Sequence, residues 1–328
     1  MNMANELVYG LLIHLGRNMW DPPKDYLRFD ESVWHEITEK MGRVGANMAV
    51  IDIGEGLVYP SHPELAVKGS WTPEKMRKEL KRLRSLGIEP IPKLNVSACH
   101  DQWLKDYGRM VSTDEYYRVV ADLIKDVAEI FDRPRFLHLG WDEEKWKTQR
   151  KSDYVVIRQS DLWWHDMIYT AKEAERHGAR GWIWSDKEWK HKDEFMARCP
   201  RSIVQSHWYY SAGFGPKWET RDDKKMNEAP WAEPHTLCAF KELDEGGFDQ
   251  IACGSNIYTP KNFPNVVEHC LKNVSKKRLL GFLNAPWGGV VRDDDPKKGG
   301  SARYLNAVDQ LAAARKRIEE GCPQPGIR

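Results

Sequence analysis

The sequence has no apolar run long enough to span a bilayer, so a membrane-crossing segment is not expected. Its opening, MNMANELVYG, lacks a basic n-region and an apolar h-region, so no secretory signal is expected there. Localisation is left open, with a secreted or periplasmic protein whose leader was trimmed among the readings. Charge of one sign is also lacking: 50 basic against 49 acidic residues give a formal net charge of +1. That balance removes the electrostatic case for nucleic acid or an anionic membrane as the main partner. The six cysteines, at 99, 199, 238, 253, 270 and 322, form no CxxC, which argues against a thiolate metal site, a redox motif or a disulfide scaffold. No P-loop or GxGxxG follows a strand, which disfavours nucleotide chemistry. No metal and no cofactor is expected, and nothing in the sequence sets the oligomeric state.

Tryptophan, by contrast, is abundant. Fifteen of 328 residues is several times ordinary usage, and large aromatic faces either fill cores or stack on apolar ligand faces, including those of sugars. Their positions must separate these readings, and those depend on the fold. The chain alternates between short apolar segments and amphipathic ones. Strands are predicted at 6–16, 46–54, 88–97, 135–140, 179–185, 202–210, 249–258 and 278–287. Helices are predicted at 30–45, 72–87, 112–131, 160–178, around 190–198, and at 234–247, 262–273 and 301–321. Asp30 and Thr72 stand at N-cap positions, Pro73 at the first helical position, and Gly87 and Gly178 at helix ends. Eight β–α repeats imply a parallel sheet closed into a (β/α)8 TIM barrel, an α/β fold of one domain over 1–328. An open doubly wound sheet is the alternative. The polar stretch 211–233 is long for a connection and reads as a lid or binding loop.

In such a barrel, functional groups gather where the strands end and the following loops begin. Those ends read HLGRNMW, DIGEG, LNVSACHDQW, GWDEEKW, WIWSDKEW, SHWYY, SNIYTP and NAPWGG. Acids, histidine and tryptophan dominate. Aromatic walls around carboxylates suit a carbohydrate site: ring faces bind the C–H surface of a sugar, and acids transfer protons and stabilise an oxocarbenium-like transition state. Apolar surroundings also raise the pKa of a carboxylic acid, as a general acid requires. Each element has a plainer reading. Asp142, Glu143 and Glu144 fit the acidic first turn of a helix, Glu144 above all. His138 fits a hydrogen-bonded core histidine, Trp184 and Trp208 fit caps of the barrel core, and Arg17 fits a structural ion-pair partner. The functional reading rests on their convergence at one rim.

The run His138-Leu-Gly-Trp-Asp-Glu143 is similar to the His-x-Gly-Gly-Asp-Glu signature of glycoside hydrolase family 20, the β-N-acetylhexosaminidases. YGLLIHLGRNMW resembles the first strand of that family, with Arg17 on its active-site arginine. PIPKLNVSACH resembles the third-strand segment, with His100 on its histidine, and NAPWGG the last, with Trp287 on a pocket tryptophan. The resemblance covers roughly 7–290. It implies a (β/α)8 barrel and substrate-assisted retention, in which the 2-acetamido carbonyl of the substrate is the nucleophile, one of the exceptions to the two-carboxylate scheme. By resemblance, Asp142 orients the acetamido group, Glu143 protonates the leaving oxygen, Trp184, Trp208 and Trp287 wall the acetamido pocket, and Tyr258 donates to the carbonyl oxygen. With Arg17, His100, His138, Trp141 and Asp186 these form the expected substrate-binding set.

The sequence also departs from the family. Tyr9 stands in place of an arginine that grips sugar hydroxyls, His14 in place of an aspartate, and Asp52 in place of a histidine. Trp141 takes the position of the second signature glycine, and the acid after the last tryptophan is missing from PWGGV. A site that loses hydrogen-bond partners rejects its former ligand, so an altered substrate is expected. Two other readings stay open: a conventional glycosidase with Asp52, Glu55, Glu144 or Asp186 as second acid, and a non-catalytic carbohydrate-binding barrel.

Overall fold

The structure is a computed structural model and describes residues 7–19, 22–149, 155–228, 235–295 and 299–320. Eight parallel strands close into a barrel in sequence order. They are β1 (Val8–His14), β2 (Met48–Asp52), β3 (Glu89–Lys93), β4 (Phe136–His138), β5 (Arg180–Trp184), β6 (Val204–Ser206), β7 (Gln250–Gly254) and β8 (Leu279–Asn284). The principal covering helices are α1 (Glu31–Val44), α2 (Pro73–Ser85), α3 (Asp114–Ile130), α4 (Ser160–Arg176), the short α5 (Lys187–Lys190) and α6 (Lys192–Arg198), α9 (Ala239–Glu245), α10 (Asn262–Asn273) and α11 (Gly300–Glu319). Two further short helices, α7 (Pro216–Glu219) and α8 (Asp223–Glu228), lie within the expected 211–233 loop, whose last residues, like Trp20 and Cys322, fall outside the described set. Among the described residues no helix is long and apolar enough to cross a membrane.

Local signals set the helix ends. The Asp30 carboxylate accepts from the backbone N–H groups of Ser32 and Val33 at the start of α1. Thr72 accepts from the Lys75 N–H at the start of α2, with Pro73 at the first helical position. The strands are shorter than the apolar segments that contain them. β4 is three residues long, and backbone hydrogen bonds to the neighbouring segments continue through Leu139 and Gly140 before the chain turns to build the mouth. At the seam between β8 and β1, Gly281 has φ +148°, and an added Cβ would lie 2.3 Å from the Val8 carbonyl oxygen. A side chain there would push the closing strand off the first.

Every strand is buried on both faces, as a parallel barrel requires. Alternate residues serve two cores. Leu11, Ile13, Ala49 and Ile51 pack outward against the helices, whereas Val8, Leu12, Met48, Val50, Ile91, Phe136, Trp182, Val204, Ile251 and Leu283 fill the barrel. Tyr9 belongs to the outer set, with the Arg315 guanidinium 5.9 Å from its ring. It therefore faces the helical layer rather than the barrel mouth.

Candidate active site

The inner face of each strand changes character toward its C-terminal end. On β1 to β4 the last inward residues are His14, Asp52, Lys93 and His138, which are register partners in sequence: His14 beside Asp52, Asp52 beside Lys93, Lys93 beside His138. All four are buried. Lys93 Nζ donates to Asp52 Oδ2 at 2.5 Å, and His14 Nδ1 lies 3.3 Å from the same oxygen. A buried lysine is tolerated only when paired. Burial pushes the His14 pKa down, with Asp52 opposing, and burial with Lys93 pushes His138 down further, so both rings are neutral near pH 7. His138 Nδ1 accepts from the Gly140 N–H at 3.1 Å, which leaves the proton on Nε2, and the ring lies 4.5 Å from that of Trp184.

Above this row sits the acid pair. β4 leads into a turn in which Gly140, Trp141 and Glu143 have φ of +76°, +74° and +56°. Gly140 is required: a Cβ there would lie 2.0 Å from Asn95 Oδ1. The turn places Asp142 inside, 6 % exposed, with Asn95 Nδ2 donating to its Oδ1 at 3.0 Å and Ser97 Oγ donating to its backbone carbonyl at 2.6 Å. His100 Nε2 lies 3.3 Å from Asp142 Oδ2 and 3.5 Å from Glu143 Oε2. Burial works against charge on His100, but the Asp142 and Glu143 carboxylates outweigh it and raise its pKa to about 10. Burial alone would raise the Asp142 pKa, yet His100, Lys93 and Asn95 hold it well below the usual carboxylate range. The arrangement is therefore an imidazolium bridging two acids. Glu143 is the more accessible of the pair, its side chain 20 % exposed against 9 % for Asp142. The donor atoms of His100, Asp142 and Glu143 lie within 4.8 Å of one another, and they are the set among the described residues that can hold a metal ion. The protonated histidine accounts for the same closeness.

Asp186, just beyond β5, completes this side. Its Oδ2 accepts from the Glu143 N–H at 3.0 Å, and Oδ1 has no partner among the described residues. Burial raises its pKa to about 6, with Lys145 opposing and Asp142 adding to the rise.

The strands β5 to β8 end differently. Trp184 is fully buried, and its ring centroid lies 5.9 Å from that of Trp287. Trp208 stacks on Tyr210 at 5.1 Å and 24°, and Tyr210 meets Trp287 at 6.3 Å. The indole N–H groups of Trp184 and Trp208 are buried without a partner among the described residues. Trp287 also approaches His14 at 5.5 Å, which joins the aromatic wall to the ionisable row. Arg17 lies at the β1–β8 seam. Its backbone N–H donates to Glu55 Oε1 at 2.8 Å, and its guanidinium packs against Gly289, two residues past Trp287.

The structure thus brings Asp142, Glu143, His100, His138 and Asp186 together, and gathers Trp184, Trp208 and Trp287 opposite them. Three expectations change. Trp141 does not face the mouth: it is 1 % exposed, donates from Nε1 to Thr170 Oγ1 at 3.2 Å, and packs on Trp163 at 5.4 Å, so its ring lies against α4. The left-handed backbone sends the side chain behind the turn. Glu144 does not begin a helix; Arg158 pairs with it at 2.9 Å in the interior. The Tyr258 side chain is 76 % exposed, apart from the cluster, and the buried tyrosine at the aromatic wall is Tyr210. Sequence reasoning missed Tyr210, Asn95, Lys93 and Arg158. Lys93 had a signal: a lysine flanked by apolar residues in a central strand has to find a buried counter-ion.

No family model and no curated protein matches the sequence. Solved structures do match by shape. A β-N-acetylhexosaminidase from Bacteroides fragilis superposes with a TM-score of 0.61 at 14% identity, over 96% of this chain and 70% of that one. A chitobiase from Flavobacterium johnsoniae gives 0.60 at 16%, over 95% and 51%. A family-20 β-N-acetylhexosaminidase from Streptomyces coelicolor A3(2) gives 0.59 at 13%, over 93% and 64%. The chain spans from about half to 70% of the length of these proteins. At such identities the likeness is one of fold: this chain has the barrel architecture seen in the glycoside hydrolase family 20 β-N-acetylhexosaminidases.

Proposed function

We propose that the protein is a glycoside hydrolase acting in the manner of β-N-acetylhexosaminidases on an altered substrate. The observation that carries this reading is the Asp142–Glu143 pair bridged by His100 and faced by a wall of tryptophans. Glu143, the more accessible acid, protonates the leaving oxygen. Asp142, kept ionised by its neighbours, stabilises the positive charge that a substrate acetamido group gains as its carbonyl oxygen attacks the anomeric carbon. Trp184, Trp208 and Trp287 supply the apolar enclosure, and the indole N–H groups of Trp184 and Trp208 are open donors for substrate oxygens. In the ionisable row beneath, His14 and Asp52 stand in place of an aspartate and a histidine of the resembling family, which supports a change of substrate.

A conventional two-carboxylate glycosidase is the second reading, and the structure narrows its candidates. Asp52 is committed to Lys93 and His14, Glu144 to Arg158, and Glu55 to the backbone N–H groups of Arg17 and Asn18. Asp186 alone of the four combines nearness to Glu143 with an open carboxylate oxygen. Glycosides with and without a 2-acetamido group separate the two mechanisms. Under the proposal, wild-type protein turns over the acetamido substrate only, and Glu143→Gln lowers kcat by roughly 10²–10⁴ on leaving groups that need protonation. Unchanged hydrolysis by that variant sinks the assignment. Turnover of the non-acetamido substrate, abolished by Asp186→Asn, moves it to the second reading. Tight glycan binding without turnover across a broad panel favours the non-catalytic barrel.

A further inference from the structure

The turn that presents the acid pair is built on unfavourable backbone. Trp141 and Glu143 both carry side chains at positive φ, a conformation that persists only where the surroundings over-determine it. Trp141 precedes the Asp142–Glu143 pair and Glu144 follows it, and both flanking residues are gripped by one side chain. The Arg158 guanidinium carbon lies 4.7 Å from the Trp141 ring centroid, and Nη1 donates to Glu144 Oε2 at 2.9 Å. The Arg158 backbone N–H donates to Glu144 Oε1 at 2.6 Å.

The remaining faces of the guanidinium are also engaged. Nε donates to Asp166 Oδ2 of α4 at 2.6 Å, and Nη2 donates to the Tyr116 hydroxyl of α3 at 2.7 Å. Its side chain is fully buried, as are those of its partners Glu144 and Asp166. Glu144 Oε2 additionally accepts from the Ala98 N–H at 3.2 Å, which ties the turn to the loop that carries His100. None of these groups faces the mouth of the barrel. A buried, multiply bonded arginine of this kind contributes geometry more than net stability.

We infer that Arg158 is a positioning residue: by holding Trp141 and Glu144 at once, it suspends Asp142 and Glu143 between two fixed points and keeps them at the distance that His100 bridges. Trp141, large where the resembling signature has glycine, is the handle by which the guanidinium holds the near end of the turn. The large residue therefore acts on the chemistry from behind, without contacting substrate. This inference rests on the reading of Asp142 and Glu143 as the catalytic pair.

The test needs a readout that loss of packing alone does not move. His100 supplies one, because its pKa of about 10 depends on both carboxylates staying within reach. Histidine-edited NMR titration, with His100→Gln to assign the resonance, follows it in wild type, Arg158→Met, Arg158→Lys and Trp141→Gly. The expected result is a folded variant in which the His100 pKa falls toward the ordinary value of about 6.5. On the glycoside that wild type turns over, kcat drops about 10²-fold, as roughly 1 Å of misplacement produces, with KM changed far less. Arg158→Lys keeps the buried charge but cannot reach Trp141, Glu144 and Asp166 together, so it loses the same readouts if Arg158→Met fails to fold. Guanidinium ion added to Arg158→Gly is expected to restore part of kcat. A folded variant in which His100 keeps its high pKa and kcat is unchanged overturns the inference, as does a Trp141→Gly protein more active than wild type. A wild type without activity on any glycoside removes the functional reading but leaves the geometry to test: a crystal structure of a folded Arg158→Met in which His100, Asp142 and Glu143 keep their wild-type separations overturns the positioning claim.

Discussion

The two halves of the barrel mouth are built from opposite chemistry on one scaffold. The inner faces of β1 to β4 end in His14, Asp52, Lys93 and His138, with His100, Asp142 and Glu143 above them. Those of β5 to β8 run up into Trp184, Trp208, Cys253 and Trp287, with Tyr210 between two of the indoles. The first half fixes charge: each buried ion has a partner, and the pKa values of His100 and Asp142 are pushed apart by one another. The second half fixes shape, and leaves indole N–H groups for a ligand to satisfy. Carboxylates facing a low-dielectric wall interact more strongly with a developing charge than carboxylates in water do. Under the proposed function, the contrast between the halves is itself a condition for catalysis.

The comparison is broken most severely from the charged side. Asp142→Asn keeps the size of the side chain and removes the anion that His100 and Asn95 orient. Steady-state kinetics are expected to show kcat reduced by roughly 10²–10³, the usual consequence of losing one preorganised electrostatic group. The aromatic side breaks differently. Trp184→Ala removes a fully buried side chain, and chemical denaturation is expected to show a loss of about 3–5 kcal/mol. Trp287→Ala, at the half-buried rim, is expected to raise KM by about tenfold, near 1.4 kcal/mol of binding, with a smaller stability loss. Equal effects of Asp142→Asn and Trp287→Ala on kcat and KM would dissolve the division of labour.

The polar half should make stability depend on alkaline pH. The folded pKa of His100 is raised to about 10, above an unfolded value of about 6.5. Its contribution is fully present below the unfolded value and is lost as pH rises through about 10. Asp101, raised to about 8 by burial, loses its contribution over the range that ends near that value, in the same direction. Denaturation midpoints are thus expected to fall from neutral to alkaline pH, with a shallower fall above about 8 in His100→Gln. Asp142, lowered on folding, acts oppositely: its contribution is present above the ordinary carboxylate pKa and lost on acidification. A midpoint flat from neutral to alkaline pH rejects the bridged-imidazolium description. The smallest effect is expected at Tyr258, which is solvent-exposed. Tyr258→Ala should change kcat and KM by less than about threefold, within the range of surface substitutions. A large loss instead would mean that the loop after β7 closes over bound substrate.

The barrel was legible in the sequence because its determinants are local. Asp30, Thr72 and Pro73 mark helix starts by their own chemistry, and continuous apolar runs mark strands buried on both faces. Strand ends were read too long, since an apolar run continues past the last paired residue. The regular strand β4 ends at His138, yet Leu139 stays buried. The acid pair was visible through position and resemblance. The partners that tune it were not, because they arrive from distant segments: Asn95 and Lys93 from β3 and its loop, Arg158 from the lead into α4, and Tyr210 from beyond β6. Trp141 was misplaced for a further reason. Sequence position assigns a residue to a turn, but the sign of φ decides to which side of that turn the ring goes.

The five cysteines among the described residues are all buried and unpaired, with burial raising the thiol pKa of each. Such thiols are inert toward alkylating reagents until the surrounding structure opens. Cys99 lies beside His100 in the charged half, whereas Cys253 touches Tyr210 in the aromatic half. Site-resolved alkylation by mass spectrometry therefore turns the native chain into its own clock of local opening, recording which side of the mouth loosens first without adding a probe.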